Sequence, residues 1–292
     1  MKNYKIQTDL ACEAETTHEK GKSGTDYSER TENGFKVAKL VVKGETGEAA
    51  TKKKRGTYVT VFSNMISGID GEEFEALASV IAAEINSLVL NSLGKTPSCV
   101  LVAGLGNREI TADNIGPKTV DRLTVTRHIA EHDKKLFDTF CKVPLCAVAP
   151  GVLGQTGIET AEMIGGICDR SSPDVIIAID ALAARSTARL GTTVQISDSG
   201  IFPGSGIGNR RSEISRDTLG IPVIAIGVPT VVNSATLVYD ALSRAGHEEV
   251  DESLEKVLKE GESFFVSPRQ SDQISDKVSI LLADAINELF LY

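Results

Sequence analysis

Four short, wholly apolar segments, separated by stretches of helical length, constrain the fold of this chain more than any other feature. Strands that are covered by helices on both faces need apolar residues at every position. The stretches near residues 116–131, 158–170 and 233–245 are long enough to form covering helices. This alternation predicts an α/β fold with a largely parallel central sheet flanked by helices. The four apolar segments are residues 99–103, 145–149, 175–179 and 223–227.

Three further patterns complete the outline of the fold. Apolar residues spaced by three and four predict one helix over residues 74–88 and a last helix over 274–289. Residues 37–42 and 58–62 have the composition of strands, which adds an N-terminal β-hairpin region. Residues 12–34 are polar and lack a sustained period, so we expect a mobile arm there.

Charge balance and cysteine content exclude several classes of protein. The 292 residues include 31 Lys and Arg against 40 Asp and Glu, a formal net charge of −9, so we expect no direct nucleic-acid binding. The basic run at residues 52–55 is interpreted as a solvated loop, with a contact to an acidic partner as the alternative. We find no apolar stretch of about 18 residues and no secretory signal, and therefore expect no membrane span. Five cysteines without a C-x-x-C pair predict reduced thiols in a cytoplasm.

Two short motifs suggest cofactors but match them poorly. Gly104 and Gly106 begin a dinucleotide-binding pattern, yet Glu109 takes the place of its third glycine and would repel a pyrophosphate. His128 and His132 have the spacing of a zinc-peptidase helix. Because that match rests on three letters, we expect solvent-facing histidines, with a metal pair as the alternative. The sequence therefore predicts no cofactor and no metal.

Carboxylates near predicted strand ends are the stronger signal. In open α/β sheets, catalytic groups gather beyond the carboxyl ends of the strands. Asp113, Asp180 and Asp198 follow three predicted strands, residues 99–103, 175–179 and 193–196. Two carboxyl groups in one cleft repel each other, so the pKa of one rises and the pair can share a proton. Such a pair can activate water against an amide. The spacing leaves open a second interpretation, in which Asp113 and Asp180 cap a helix and a turn.

Long ordered blocks of the chain carry a resemblance to a known family. They include residues 8–11, 104–107, 176–186, 195–201 and 220–227, and they lie between residue 4 and about residue 235. In these blocks the chain resembles the germination proteases of endospore-forming bacteria. The resemblance implies a fold similar to that of the hydrogenase-maturation peptidases.

The resemblance also implies an activity and a site. It implies an endopeptidase that is made as an autoprocessed zymogen and initiates degradation of small acid-soluble spore proteins during germination. It further implies a homotetramer in the cytoplasm of the forespore and in the spore core. The two essential aspartates of the family match Asp113 and Asp180, and we take Asn107, Glu159 and Asp198 as candidate supporting residues. A hydrogenase-maturation-type peptidase and a non-catalytic α/β binding protein are the alternatives.

The N-terminus is similar to the sequence that this family cleaves in its substrates. Residues 9–13 give an acid, a bulky apolar residue, alanine, a small residue and an acid. This similarity predicts self-cleavage between Asp9 and Leu10, which would release residues 1–9 as a propeptide and leave residues 10–292 as a single peptidase domain. An acidic residue before the cut suggests activation by low pH, because neutral carboxyl groups repel one another less. The alternative is a capped turn in an ordinary N-terminal tail.

Overall fold

The computed structural model describes residues 8–14, 24–204, 211–246, 252–261 and 264–292. Most of the predicted propeptide, and residues 15–23 of the predicted arm, lie outside the described residues.

One mixed sheet forms the centre of the described part of the chain. Its order is β1-β2-β3-β7-β8-β6-β4-β5, with β9 paired to β8. The segment β5-β4-β6-β8 is parallel, which confirms the parallel sheet for the four strands on which the prediction rested. Antiparallel strands extend it on the other side. The strands are Thr25–Glu32 (β1), Phe35–Val42 (β2), Gly56–Phe62 (β3), Val100–Gly104 (β4), Leu145–Val148 (β5), Val175–Ala184 (β6), Thr193–Ser197 (β7), Val223–Asn233 (β8) and Phe265–Val266 (β9).

Helices connect the strands and cover both faces of the sheet. They are Gly44–Thr51 (α1), Gly71–Leu93 (α2), Ile115–Asp121 (α3), Arg127–His132 (α4), Lys134–Phe140 (α5), Leu153–Thr156 (α6), Thr160–Ser171 (α7), Arg216–Leu219 (α8), Ser234–Arg244 (α9), Glu252–Gly261 (α10) and Ser271–Phe290 (α11). The long helices α2 and α11 pack against each other, and α7 contributes to the core on the opposite face.

Side-chain alternation along the strands divides the core between the two faces. Val100 and Val102 of β4 belong to the cluster with α2 and α11, whereas Leu101 and Ala103 belong to the cluster with α7. Leu10, from the N-terminal segment, is fully buried in this second cluster. The N-terminal segment therefore lies on the α7 face.

Helix α2 is long and apolar enough to cross a bilayer by length and composition, contrary to the expectation from sequence. One side of it is buried in the core, where Leu77, Ile81 and Ile85 are fully covered. Core helices of soluble proteins have the same composition, so the length and composition of α2 are only weak evidence for a membrane span.

Two sequence predictions need correction in the N-terminal part. The expected arm is wrong for Thr25–Glu32, which forms edge strand β1 and pairs with β2 along its length. The connection between the two predicted strands contains helix α1, so β2 and β3 are antiparallel neighbours without a tight hairpin turn. Further along the chain, the helical stretch near 116–131 is divided into α3 and α4.

Candidate active site

Asp180 lies where the order of the parallel strands changes direction. The chain passes from β4 to β5 on one side and then returns to β6 on the other side of β4, and ligands bind at such points in α/β sheets. β4 ends at Gly104, which pairs with Ile179, so Asp180 is the first β6 residue beyond the end of β4. Strand β6 itself continues to Ala184, further than the sequence predicts.

The second aspartate reaches the same place from the loop that follows β4. Asp113 ends a short 3₁₀ helix, Thr111–Asp113, and its Oδ2 accepts a hydrogen bond from the Asn107 backbone N–H at 2.7 Å. Gly106 adopts φ +109°, and a Cβ at that position would overlap the Asp113 carbonyl oxygen. Only glycine allows this turn to approach Asp113 so closely.

The charge of Asp113 acts on the protonation of Asp180. Burial raises the pKa of Asp180 well above its ordinary value, and the charges of Asp113 and Asp9 raise it further. Burial also raises the pKa of Asp113, and the hydrogen bond from the Asn107 N–H partly offsets this by lowering it. The Asp180 side chain is only 5% exposed, and it projects from the α7 face, like Ala178 and Leu182. This arrangement can hold one shared proton, as a pair of general acid and general base requires.

The N-terminal segment lies against the strand that carries Asp180. The Asp9 N–H donates to the Ala183 carbonyl at 2.8 Å, and the Ala183 N–H donates to Asp9 Oδ2 at 2.9 Å. Farther along, the Glu13 carboxylate accepts from the backbone N–H groups of Arg185 at 2.7 Å and Ser186 at 3.1 Å. The predicted cleavage position therefore lies against the strand that carries Asp180, and the Asp9 charge reaches Asp180.

Two side chains that the sequence analysis missed contact the backbone of this segment. Lys53 Nζ donates to the carbonyl oxygens of Asp9 at 2.8 Å and Thr8 at 3.2 Å. Gln195 Nε2 donates to the same Asp9 oxygen at 3.2 Å, while its Oε1 accepts from the Ala11 N–H at 2.6 Å. The interpretation of residues 52–55 as a solvated loop is therefore wrong for Lys53.

Strand register explains how Gln195 reaches the site. Gln195 pairs with Gly227 of β8, which pairs with Asp180 of β6, and on its other side it pairs with Thr60 of β3. Directly paired residues project to the same face, so a polar row crosses the sheet beneath the N-terminal segment. The Leu182 side chain occupies the space above Gly227, where a Cβ would overlap it.

Of the three candidate supporting residues, only Asn107 contacts one of the two aspartates through a hydrogen bond that the structure shows. Asn107 contributes its backbone N–H, while its side-chain oxygen accepts from Gln155 at 2.9 Å. Glu159 lies before α7 and accepts from the Ser212 N–H at 3.5 Å. Asp198 caps the start of β3 through the Thr57 N–H, at 2.6 Å.

The position of Asp198 follows from the direction of its strand. β7 runs antiparallel to β8, so the carboxyl end of β7 lies toward the opposite edge of the sheet from Asp180. The sequence analysis grouped the end of this strand with the carboxyl ends of the parallel strands, and the antiparallel direction of β7 separates Asp198 from them.

His128 and His132 are exposed on the short helix α4. Among the residues that the structure describes, no group of three or more His, Cys, Asp and Glu side chains is placed to hold a metal ion. All five cysteines are free thiols.

Comparison with known proteins assigns the chain to a family. A sequence profile described as "Germination protease" matches residues 4–251. The chain belongs to the germination protease family. It is 37% identical over 308 residues to the germination protease of Clostridium acetobutylicum, covering 97% of this chain and 94% of the relative. It is 45% identical over 253 residues to that of Priestia megaterium, covering 83% of this chain and 67% of the relative. The expected endopeptidase of spore germination is thereby confirmed.

A search of solved structures found the [NiFe] hydrogenase maturation protease HycI from Thermococcus kodakarensis. The match covers 66% of this chain and 98% of HycI, at 14% identity and a TM-score of 0.30. Similarity at this level carries no argument, so the hydrogenase-maturation alternative gains no support from it.

Proposed function

We propose that Asp113 and Asp180 cleave the Asp9–Leu10 bond of this chain and then use the same site on small acid-soluble spore proteins. The observation that carries the proposal is the docked N-terminal segment, which is held by the strand that bears Asp180. The Asp9 charge is one of the causes that raise the pKa of Asp180, so the two carboxyl groups are close enough to interact.

The different surroundings of the two aspartates assign their roles in this proposal. Asp180 keeps the shared proton because it is the more deeply buried, and Asp113 is the ionised partner because the Asn107 N–H stabilises its charge. Asp113 takes a proton from water as the water oxygen attacks the Asp9 carbonyl carbon. Asp180 then protonates the Leu10 nitrogen as the carbon–nitrogen bond breaks.

The contacts of the segment also account for the kind of sequence that would be cleaved. The bulky residue after the cut is Leu10, which is fully buried in the α7-face core. The acid three residues further on, Glu13, binds two backbone N–H groups. A spore-protein segment with the same order of residues would make the same contacts.

An assembly of four copies in the spore core completes the proposal. Phe140 and Tyr292 lie beside each other at the end of α11 and are 60% and 79% exposed, and an interface between copies would cover them. Light scattering should give four times the 31.1 kDa chain mass. A protease that is fully active as a monomer would contradict the tetramer.

The cleavage itself is tested by N-terminal sequencing of the full chain after mild acidification. The parent should yield Leu-Ala-Cys-Glu, whereas Asp113→Asn and Asp180→Asn should keep their original terminus. Asp138→Asn is the matched control, because Asp138 is an exposed carboxylate on α5 that pairs with Lys134. If Asp180→Asn is processed at the parental rate, the two-aspartate mechanism is wrong.

A further inference from the structure

We propose that Lys53 and Gln195 form an oxyanion-binding pair for the carbonyl group that is attacked. This inference rests on the proposed cleavage between Asp9 and Leu10, and it assigns to these two residues a direct part in catalysis. The same pair would receive the corresponding carbonyl oxygen of any other substrate.

The geometry singles out one oxygen atom of the segment. Lys53 Nζ and Gln195 Nε2 both donate to the Asp9 carbonyl oxygen, at 2.8 and 3.2 Å. That carbonyl group belongs to the bond predicted to be cut. The donors come from distant parts of the chain, one just before β3 and one in the middle of β7, so the convergence depends on the tertiary fold.

Both donors are oriented by other hydrogen bonds. The Ala11 N–H donates to Gln195 Oε1 at 2.6 Å, which turns the amide nitrogen of Gln195 toward Asp9. The Lys53 backbone N–H donates to Thr51 Oγ1 at 3.2 Å, and Thr51 Oγ1 donates to the Gly47 carbonyl at 2.7 Å. The loop that carries Lys53 is thus tied to α1, which fixes the backbone from which its side chain extends.

The chemistry of peptide hydrolysis makes use of donors at this atom. When the water oxygen bonds to the Asp9 carbonyl carbon, a pair of electrons moves onto the carbonyl oxygen, which becomes negative. When the carbon–nitrogen bond breaks, that electron pair re-forms the carbonyl double bond. A fixed cation and a fixed amide stabilise the negative oxygen more than the neutral carbonyl, and this difference accelerates the reaction.

Two opposing influences act on the charge of Lys53. Burial lowers its pKa and outweighs the nearby charges of Asp9 and Glu13, which raise it. A negative oxygen on the attacked carbonyl would favour the ammonium further, and a neutral amine would still donate a hydrogen bond to that oxygen. The neighbouring Lys54 reaches elsewhere, to the Glu213 carboxylate at 2.5 Å.

The test measures self-cleavage of the full chain in the parent and in four variants. Lys53→Met should slow cleavage at Asp9–Leu10 by about 100-fold or more, the typical effect of removing one oxyanion donor. Lys53→Arg keeps the cation and should recover most of that loss. Gln195→Glu keeps the acceptor for Ala11 but loses the donor to Asp9, and it should also be slow. Lys52→Met, which removes an exposed lysine from the same loop, should cleave like the parent.

Amide hydrogen exchange of residues 8–14 in the uncleaved proteins separates catalysis from docking. Slow cleavage of Lys53→Met with parental protection of these amides supports the proposal. Slow cleavage with lost protection would reduce Lys53 to a docking residue and overturn it, as would cleavage of Lys53→Met within threefold of the parent. If the parent itself does not cut at Asp9–Leu10, the proposed function fails together with this inference.

Discussion

The buried carboxyl group of Asp180 is unfavourable for folding at neutral pH. Its pKa is raised well above the ordinary value of 3.8 by burial and by two neighbouring carboxylates. The folded chain therefore binds a proton at Asp180 that the unfolded chain has already lost. Between the ordinary pKa and the raised one, stability falls as the pH rises.

This reasoning predicts that Asp180→Asn stabilises the chain while abolishing cleavage. The comparison is made in an Asp113→Asn background, where both proteins are inactive and keep the same N-terminus. At pH 7 the added Asp180→Asn substitution should raise Tm by at least about 2 °C, the shift expected for roughly 1 kcal/mol in a chain of this size. The gain should shrink as the pH is lowered toward 4. An equal Tm at pH 7 would show that the buried Asp180 carboxyl group does not destabilise the fold.

The same pair predicts a bell-shaped pH profile for self-cleavage. The rate should fall at high pH as the shared proton is lost and at low pH as Asp113 is protonated, with apparent pKa values that belong to the pair. Because both groups have raised pKa values, both limbs should lie above pH 3.8. On the high-pH limb, acidification should therefore accelerate processing. A rate that stays constant from pH 5 to pH 8 would argue against a shared proton.

Sequence reasoning found the residues whose signal is local and missed those that depend on strand pairing. Asp180 follows an apolar run and Asp113 follows a glycine turn, and both patterns can be read directly. Lys53 and Gln195 reach the site only through the order β3-β7-β8-β6, which joins strands far apart in sequence. The one local signal for these two residues was Gln195, a glutamine inside an apolar strand. A buried amide needs a hydrogen-bond partner, so its presence there indicates a polar contact.

Among the elements, β7 and β1 account for the largest differences from the sequence prediction. The direction of β7 depends on its partners β3 and β8, and no local pattern reports it. Strand β1 was predictable, because Asn33-Gly34 between two candidate strands is a strong signal for a tight hairpin. Both residues have positive φ, 48° and 85°, as that turn requires. The polar composition of β1, which suits an exposed edge strand, concealed it.

The β1–β2 hairpin provides a stability prediction that is separate from catalysis. Gly34→Ala places a side chain in the left-handed region and should cost about 1–2 kcal/mol, even though an added Cβ meets no atom there. Gly166→Ala on α7 also meets no atom and should be neutral or slightly stabilising, since alanine favours helices. Urea unfolding measures both effects. Gly34 lies at the turn, at the other end of β2 from Leu40 and Val42, which pack near Ala11 of the N-terminal segment. Self-cleavage of Gly34→Ala should therefore match the parent.

At the scale of the whole molecule, the proposed function predicts that each copy would process itself. Residues 8–13 already lie in the site of their own chain, held by Ala183, Gln195 and Lys53. Capture of a neighbour's segment would bury the same Leu10, but it would also cost the translational and rotational entropy of bringing two chains together. Docking within the chain is thus favoured over capture of a neighbour's segment.

Self-cleavage should consequently be first-order, with a half-time that does not change over a hundredfold range of protein concentration. In a mixture, tagged Asp180→Asn chains should remain uncut while parental chains are processed beside them, because each scissile bond is docked in its own chain. Electrophoresis and N-terminal sequencing of the tagged chains measure this directly. A half-time that shortens in proportion to concentration, or efficient cutting of the tagged chains, would mean that the docked segment leaves its site before the bond is broken.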